Sequence, residues 1–265
     1  MSAVQWLNSL RVTHFAIDRL GLRRALNAAL DRFPLVRTLP SGVRYRYRYL
    51  DSVTLAEEIF RQRVYERAVS KGVVTFVDLG CNVGHFVAFV ADVTGRRDLR
   101  GLAVDADPDM VAETSWVIGA NGLSTVTALH GLVGAPGCTT ESREFFLHPC
   151  KIKSSAYAVD EPGQPHKGDW KKTRVPTIDL EAVWCERVGA DVRCDLLKVD
   201  IEGSEADFVV EDNPFLRRVD ALVLEIHKWV VEPSVIDARL RALGFTKLSD
   251  LCDSETLAVA HYARA

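Results

Sequence analysis

The sequence predicts a doubly wound α/β fold, a mostly parallel seven-stranded sheet ending in a C-terminal antiparallel hairpin. Three observations lead there. Short continuous apolar runs, VVTFVDL at 73–79 first among them, suit strands covered on both faces. Helical patterns alternate with these runs from residue 73 onward. The last two strand-like runs, 245–251 and 255–263, have no helix between them and pair as a hairpin.

The elements follow in order. Leu20, Leu22, Ala25, Leu26, Ala29 and Leu30 recur at helical spacing, so residues 1–37 read as one or two amphipathic helices, ended by Pro34 and Pro40. In VRYRYRYL at 43–50 the period is two. Val43, Tyr45, Tyr47 and Tyr49 share one strand face; Arg44, Arg46 and Arg48 share the other. That basic face is expected to be solvated, the alternative being a grip on a phosphorylated ligand or RNA. Residues 54–70 form a helix with Leu55, Ile59, Val64, Tyr65 and Ala68 inward, broken at Gly72.

Then the β/α alternation starts. The strand at 73–79 leads into a helix at 84–94. LRGLAVDAD is the second strand, followed by a helix started by Pro108 and closed by Gly119 to Gly122. STVTALHGLVG is the third. CDLLKVD at 194–200 is the fourth, with EGSEADFVVED as its helix. ALVLEIH at 221–227 is the fifth, and a helix at 233–243 stops at Gly244. The polar stretch 148–175, rich in Gly, Pro and Lys, reads as a long loop, either a lid or a surface insertion. The expected division is a helical and strand extension over 1–53 and a ligand-binding domain over 54–265.

Composition narrows the function classes. The chain has 265 residues, 48% hydrophobic and 26% charged, as ordinary globular proteins do. Its formal net charge is −3, without the basic excess that nucleic-acid binders carry. No apolar run approaches the roughly 20 residues that cross a bilayer. The start MSAVQWLNSLRVTHF lacks the pattern of a secretory leader, so a cytoplasmic location is expected. Its six cysteines have no metal-type spacing, and the expectation is reduced thiols. His148 and Cys150 lack partners at useful spacing, so no zinc is assigned.

Chemistry concentrates at three strand ends. The first is Asp78-Leu-Gly80-Cys-Asn82-Val-Gly84, a glycine turn between strand and helix. Gly80 and Gly84 permit the turn and close packing, and the helix start offers free N–H groups to an anion. The spacing is D-x-G-x-N-x-G rather than the G-x-G-x-x-G of dinucleotide enzymes, which favours S-adenosylmethionine over NAD. Asp78 is the candidate for the ligand ammonium or a bridging water. The second is Asp105, an acid placed for ribose hydroxyls; Asp107 caps the next helix instead. The third spans LLKVDIEGSE and LVLEIH. Lys198, Asp200, Glu225 and His227 are charged or polar positions in strands that should be apolar. Lys198 is expected to pair with Glu225, with Asp200 and His227 together at the edge where open α/β sheets bind ligands.

VDLGCNVGHF, the acid before DP at 105–108, ANGL at 120–123, TIDLEAV at 177–183, LLKVDIEGSE and LVLEIH together resemble the FkbM-type S-adenosylmethionine-dependent methyltransferases, over roughly residues 55–250. The resemblance implies a class I, Rossmann-like methyltransferase fold and O-methylation of a sugar, lipid or secondary metabolite. Position 105 is Asp where many relatives carry Glu, and an acid is retained. The small-molecule hydroxyl needs a base. His227 is that candidate, with Asp200 orienting it; Asp200 is also a candidate base, or a ligand with Glu225 and His227 for Mg²⁺. An RNA methyltransferase and a non-catalytic binding module on the same fold are the rival readings, and a homo-oligomer is compatible with either.

Overall fold

The computed structural model describes Ile17 and residues 19–134, 141–148, 154–156, 159–160, 164–165 and 170–264. Helix α1 (Arg23–Arg32) opens the described chain, and none of its residues is buried. Strands β1 (Leu35–Thr38) and β2 (Arg44–Tyr47) form an antiparallel hairpin, so part of the region expected to be helical is strand. Tyr45 and Val43 enter the core, as the period of two requires. The basic face is solvated only in part, since Arg44 is exposed whereas Arg46 and Arg48 are half-buried. Arg46 Nε lies 2.6 Å and Arg48 Nε 3.0 Å from the carboxylate of buried Glu113. One acid, 65 or more residues later in the chain, thus ties the hairpin to the main domain.

Helix α2 (Leu50–Ala56) is shorter than the expected 54–70. It widens into a π-type turn over Glu57–Arg61 and ends before Arg63, whose φ of 54° a continuing right-handed helix cannot contain. The break lets Tyr65 drop into the core, edge-on to Phe86 at 5.2 Å.

The alternation then runs β3 (Thr75–Leu79), α3 (His85–Thr94), β4 (Arg100–Asp105), α4 (Pro108–Ala120) and β5 (Val126–His130). Asp107 caps α4 as expected, its side chain accepting from Asp109 N, with Pro108 opening the first turn. Strands β6 (Ser142–Leu147) and β9 (Lys171–Pro176) pair antiparallel, flanking the short pair β7 (Val159–Asp160) and β8 (Gln164–Pro165). The 148–175 stretch is therefore not one irregular loop. It is an excursion from a ribbon, and Lys172 within it pairs with Glu144. Lys151, Lys153 and Lys167 lie outside the described residues, as does Cys150.

Helix α5 (Leu180–Trp184) leads to β10 (Cys194–Val199). Helix α6 covers only Glu205–Phe208, because Glu202 and Gly203 sit at φ 49° and 99° and hold the preceding segment as a loop. Strand β11 (Val219–His227), helix α7 (Pro233–Ala242) and the hairpin β12 (Phe245–Asp253) and β13 (Leu257–Arg264) complete the chain.

The main sheet has seven strands in the order β12-β13-β11-β10-β3-β4-β5. β11, β10, β3, β4 and β5 are parallel, and β13 runs antiparallel to both β11 and β12. This is the doubly wound sheet with a C-terminal hairpin. Apolar layers cover both faces: Phe76, Phe86, Phe89 and Leu123 on one, Val77, Leu102, Trp184 and Leu222 on the other. Among the described residues no helix is long and apolar enough to cross a membrane.

Register decides where the strand charges go. Lys198 stands opposite Asp78 on β3 and opposite Val223 on β11. Its ammonium lies 3.2 Å from Asp78, 3.3 Å from Asp200 and 3.1 Å from the Gly80 carbonyl. The expected Lys198–Glu225 pair is therefore replaced by a pair with the other neighbouring strand. Lys198→Met would leave Asp78, which is fully buried, without its counter-ion. We expect a loss of about 3–5 kcal/mol in denaturant melts, largely recovered in the double variant Lys198→Met, Asp78→Asn. A single-variant cost under about 1 kcal/mol would contradict the ion pair's structural role.

Candidate functional site

A cavity of about 550 Å³ opens at the C-terminal ends of β3, β4, β10 and β11, within the size range of small-molecule sites. Its walls include the glycine turn (Gly80, Cys81, Asn82), Asp105 at the end of β4, and the strand-end group Lys198, Asp200, Glu202, Glu225 and His227. Helix α2 and the π-type turn and loop after it contribute Leu55, Glu58, Ile59, Val64 and Tyr65, β6 contributes Phe145, and Ser154 also lines the cavity.

The glycine turn is shaped by contact with β10. Gly80 has φ 75°, and a Cβ there would stand 1.7 Å from the Asp200 carbonyl oxygen. Only glycine permits that approach, which places the turn and the β10 loop side by side. Gly84 caps α3 at φ 76°, with Thr114 Cα 3.0 Å from where a Cβ would be, so it sets helix-to-helix packing rather than lining the cavity. Asn82 takes φ 47°, and its Oδ1 accepts from Val83 N and from the Tyr49 hydroxyl. Tyr49 thereby joins the extension to the turn.

Asp105 accepts from Asn82 N at 2.8 Å and Asp107 N at 2.9 Å. A carboxylate has about four acceptor positions, so capacity remains for hydroxyl donors. Burial pushes its carboxyl up to about 6. Asp78, by contrast, lies beneath the cavity wall, facing Lys198. His85 lines the cavity, but its Nε2 faces the Arg46 carbonyl and its ring meets Tyr45 and Phe60. Burial lowers its pKa to about 4, so it is neutral at pH 7.

At the far wall, His227 is buried and enclosed by acids. Its Nδ1 donates to Glu205 at 3.0 Å, and its Nε2 lies 3.2 Å from Glu202 and 3.8 Å from Glu225. Burial alone would lower the pKa of the ring; Glu202 and Glu205 outweigh it and raise it well above the usual histidine value. Burial pushes Glu202 up to about 7, against the pull of His227. Burial and then the Asp200 charge raise Glu225 well above the carboxylate range. The register explains the second cause, since Asp200 is level with Glu225 one step past the Val199–Leu224 pair.

All four strand-end candidates therefore converge, but His227 is held by Glu202 and Glu205 rather than by Asp200. Those two acids were not singled out in the sequence. They resemble the polar opening of a helix, and the available signal was that a buried strand-end histidine needs partners nearby. Ligand atoms of Asp200, Glu202 and His227 lie within 4.8 Å of one another, near enough for a shared cation. A cation there would compete with the ring proton of His227, because a histidine binds a metal through a deprotonated nitrogen.

Residues 78–247 match the family model of the methyltransferase FkbM domain. The chain belongs to the FkbM methyltransferase family. The match starts at the glycine-turn motif and ends in β12. No curated protein matches the sequence. Among solved structures, TrmK of M. capricolum with S-adenosylhomocysteine shares 6% identity over 77% of this chain and 68% of its own, with a TM-score of 0.46. Aeropyrum pernix fibrillarin with natively bound S-adenosyl-L-methionine shares 12% over 87% and 83%, with a TM-score of 0.45. The METTL16 methyltransferase domain shares 13% over 92% and 96%, also with 0.45.

The residues present suit S-adenosylmethionine as the methyl donor of this family member: a turn open to close approach, and an acid with free acceptor capacity. Asp105→Ala should weaken S-adenosylhomocysteine binding by about 1.5–3 kcal/mol in calorimetry, the loss of hydrogen bonds to a charged group. The pH dependence has a definite sign. A ribose hydroxyl held by Asp105 would donate to the ionised carboxylate, so bound Asp105 would hold its proton less tightly than free Asp105. Affinity should then be full above about pH 6 and fall below it, by at most about tenfold per unit. Asp105→Asn should flatten that fall; unchanged affinity in Asp105→Ala would place the ribose elsewhere.

Proposed function

We propose that this methyltransferase binds S-adenosylmethionine through Gly80, Asn82 and Asp105 and methylates a hydroxyl of a small molecule such as a sugar, glycolipid or secondary metabolite. The observation that carries the reading is one cavity lined both by the glycine turn with Asp105 and by the Glu202–His227 pair. S-adenosylmethionine supplies a methyl carbon on a sulfonium, an electrophile that needs no activation. The chain has to align the acceptor and remove its proton.

Glu202 is the proton acceptor in this proposal. Its carboxyl, near 7, matches the working range of a general base. His227, named as base on sequence grounds, is the cation that holds Glu202 in place; the two titrate as a pair. The acceptor oxygen bonds to the methyl carbon as the carbon–sulfur bond breaks, and the hydroxyl proton passes to Glu202. Asp200 and Glu225 stand beside Glu202 to receive further hydroxyls of the acceptor. Lys198 lies under the turn and keeps Gly80 and Asp200 in position.

The cavity's charge favours a small neutral or cationic acceptor over RNA. Glu58, Asp105, Asp200, Glu202 and Glu225 line it, whereas Lys198 and His227 are each met by carboxylates. No arginine and no other lysine lines the cavity among the described residues, so a phosphodiester would meet no free cation there. We assign acceptor choice to the extension over 1–53 and the 148–175 segment, of which Ser154 lines the cavity.

Transfer of labelled methyl to a panel of polyhydroxylated small molecules identifies an acceptor. With it, Glu202→Gln and His227→Ala should each lower turnover by about 10²–10⁴ and leave S-adenosylhomocysteine affinity nearly unchanged. Turnover should rise with pH through about 7, as Glu202 loses its proton. Chelator should have no effect. Near wild-type turnover in Glu202→Gln would overturn the assignment, and chelator loss restored by Mg²⁺ would replace it with a metal mechanism.

A further inference from the structure

Glu205, the last acid of LLKVDIEGSE, has no part in the proton transfer above, yet it is 0% exposed. A carboxylate removed from water is costly unless donors or a cation meet it. Its Oε1 accepts from Ile201 N at 3.2 Å, Gly203 N at 3.1 Å and His227 Nδ1 at 3.0 Å. Its Oε2 has no partner among the described residues. The cation it meets is His227.

The imidazole therefore spans from a buried acid to the cavity wall. Two loop N–H groups fix Glu205, so the Asp200–Glu205 loop sets the direction of the contact. Beyond Nε2 stand Glu202 and, farther off, Glu225. Asp200 faces the same cluster, Lys198 acts on Glu225 from the neighbouring strand, and the Trp229 ring lies edge-on at 6.1 Å.

We infer that Glu205 is a positioning residue: by accepting the Nδ1–H of His227 it fixes the ring's rotation and protonation and aims Nε2–H at Glu202. The inference rests on the proposed reading of Glu202 as the group that takes the acceptor's proton. Proteins commonly set a histidine's tautomer by a carboxylate on the opposite nitrogen. Here the carboxylate is anchored by backbone, which leaves the ring one orientation. With Glu205 neutral, one of the two closest anions holding the imidazolium is lost, and the ring releases its proton at lower pH.

Nitrogen-15 NMR of histidine-labelled protein tests this without an acceptor. In the wild type both ring nitrogens of His227 carry protons at pH 7. In Glu205→Gln the fold and the S-adenosylhomocysteine affinity persist within about twofold. The His227 titration midpoint moves down by about one pH unit or more, a tenfold change in proton affinity. Glu205→Asp keeps the charge and recovers most of that shift. A wild-type His227 that is neutral with a bare Nδ1 at pH 7 overturns the inference whether or not the variant folds. So does an unchanged His227 titration in Glu205→Gln, even if turnover falls. The His227 signals, assigned among the seven histidines by their loss in His227→Ala, report on this ring and not on turnover, so a failure of Glu202 as base is told apart from a failure of this inference.

Discussion

A single buried ammonium organises the ligand edge of the sheet. Lys198 comes from the central strand β10 and reaches Asp78 on β3, Asp200 beyond β10 and the Gly80 carbonyl in the turn. Three segments that would otherwise repel or drift are held by one charge. The arrangement requires a turn residue without a side chain, because the Asp200 carbonyl fills the place where a Cβ of residue 80 would be. It also requires burial, since a surface ion pair would contribute little. The Lys198 ammonium further lies 5.9 Å from the Phe86 ring, which closes it off from below.

His227 repeats the same principle one strand over. It too is a buried cation surrounded by acids, and it too ends a parallel strand. The difference is orientation. Lys198 points under the turn, so its charge goes into structure. His227 sits at the cavity wall, so its charge acts on the groups that face a ligand. Burial first and then the charge of neighbouring Asp200 raise the Glu225 carboxyl well above the carboxylate range, although His227 and Lys198 both act the other way. A ligand that brings hydroxyl or cationic groups relieves that crowding; a phosphate or carboxylate adds to it.

The sheet and its charged strand ends were legible because each breaks or keeps a simple period. Charges at 198, 200, 225 and 227 stand out against apolar parallel strands, and two-residue spacing puts each pair on one face. Their partners were not legible. Lys198 has neighbours on both sides, and only the register selects Asp78 over Glu225. Glu202 and Glu205 looked like the start of a helix, and the positive φ of Glu202 and Gly203 turns them back toward His227. The Tyr/Arg alternation gave the right faces for the strand and the wrong environment for Arg46 and Arg48, because Glu113 is distant in sequence. The shortened helix after residue 50 has the same origin: the apolar pattern continues to Ala68, but the backbone reverses at Arg63.

In the proposed function donor and proton acceptor share one cavity, with the ribose on Asp105 and the reacting sulfur turned toward Glu202 and His227. A crystal structure with S-adenosylhomocysteine tests it most directly. The account predicts ribose hydroxyls within hydrogen-bond distance of Asp105 and the sulfur facing the Glu202–His227 wall, with room for an acceptor oxygen between them. A nucleoside seated away from Asp105, or a sulfur directed away from that wall, would contradict it.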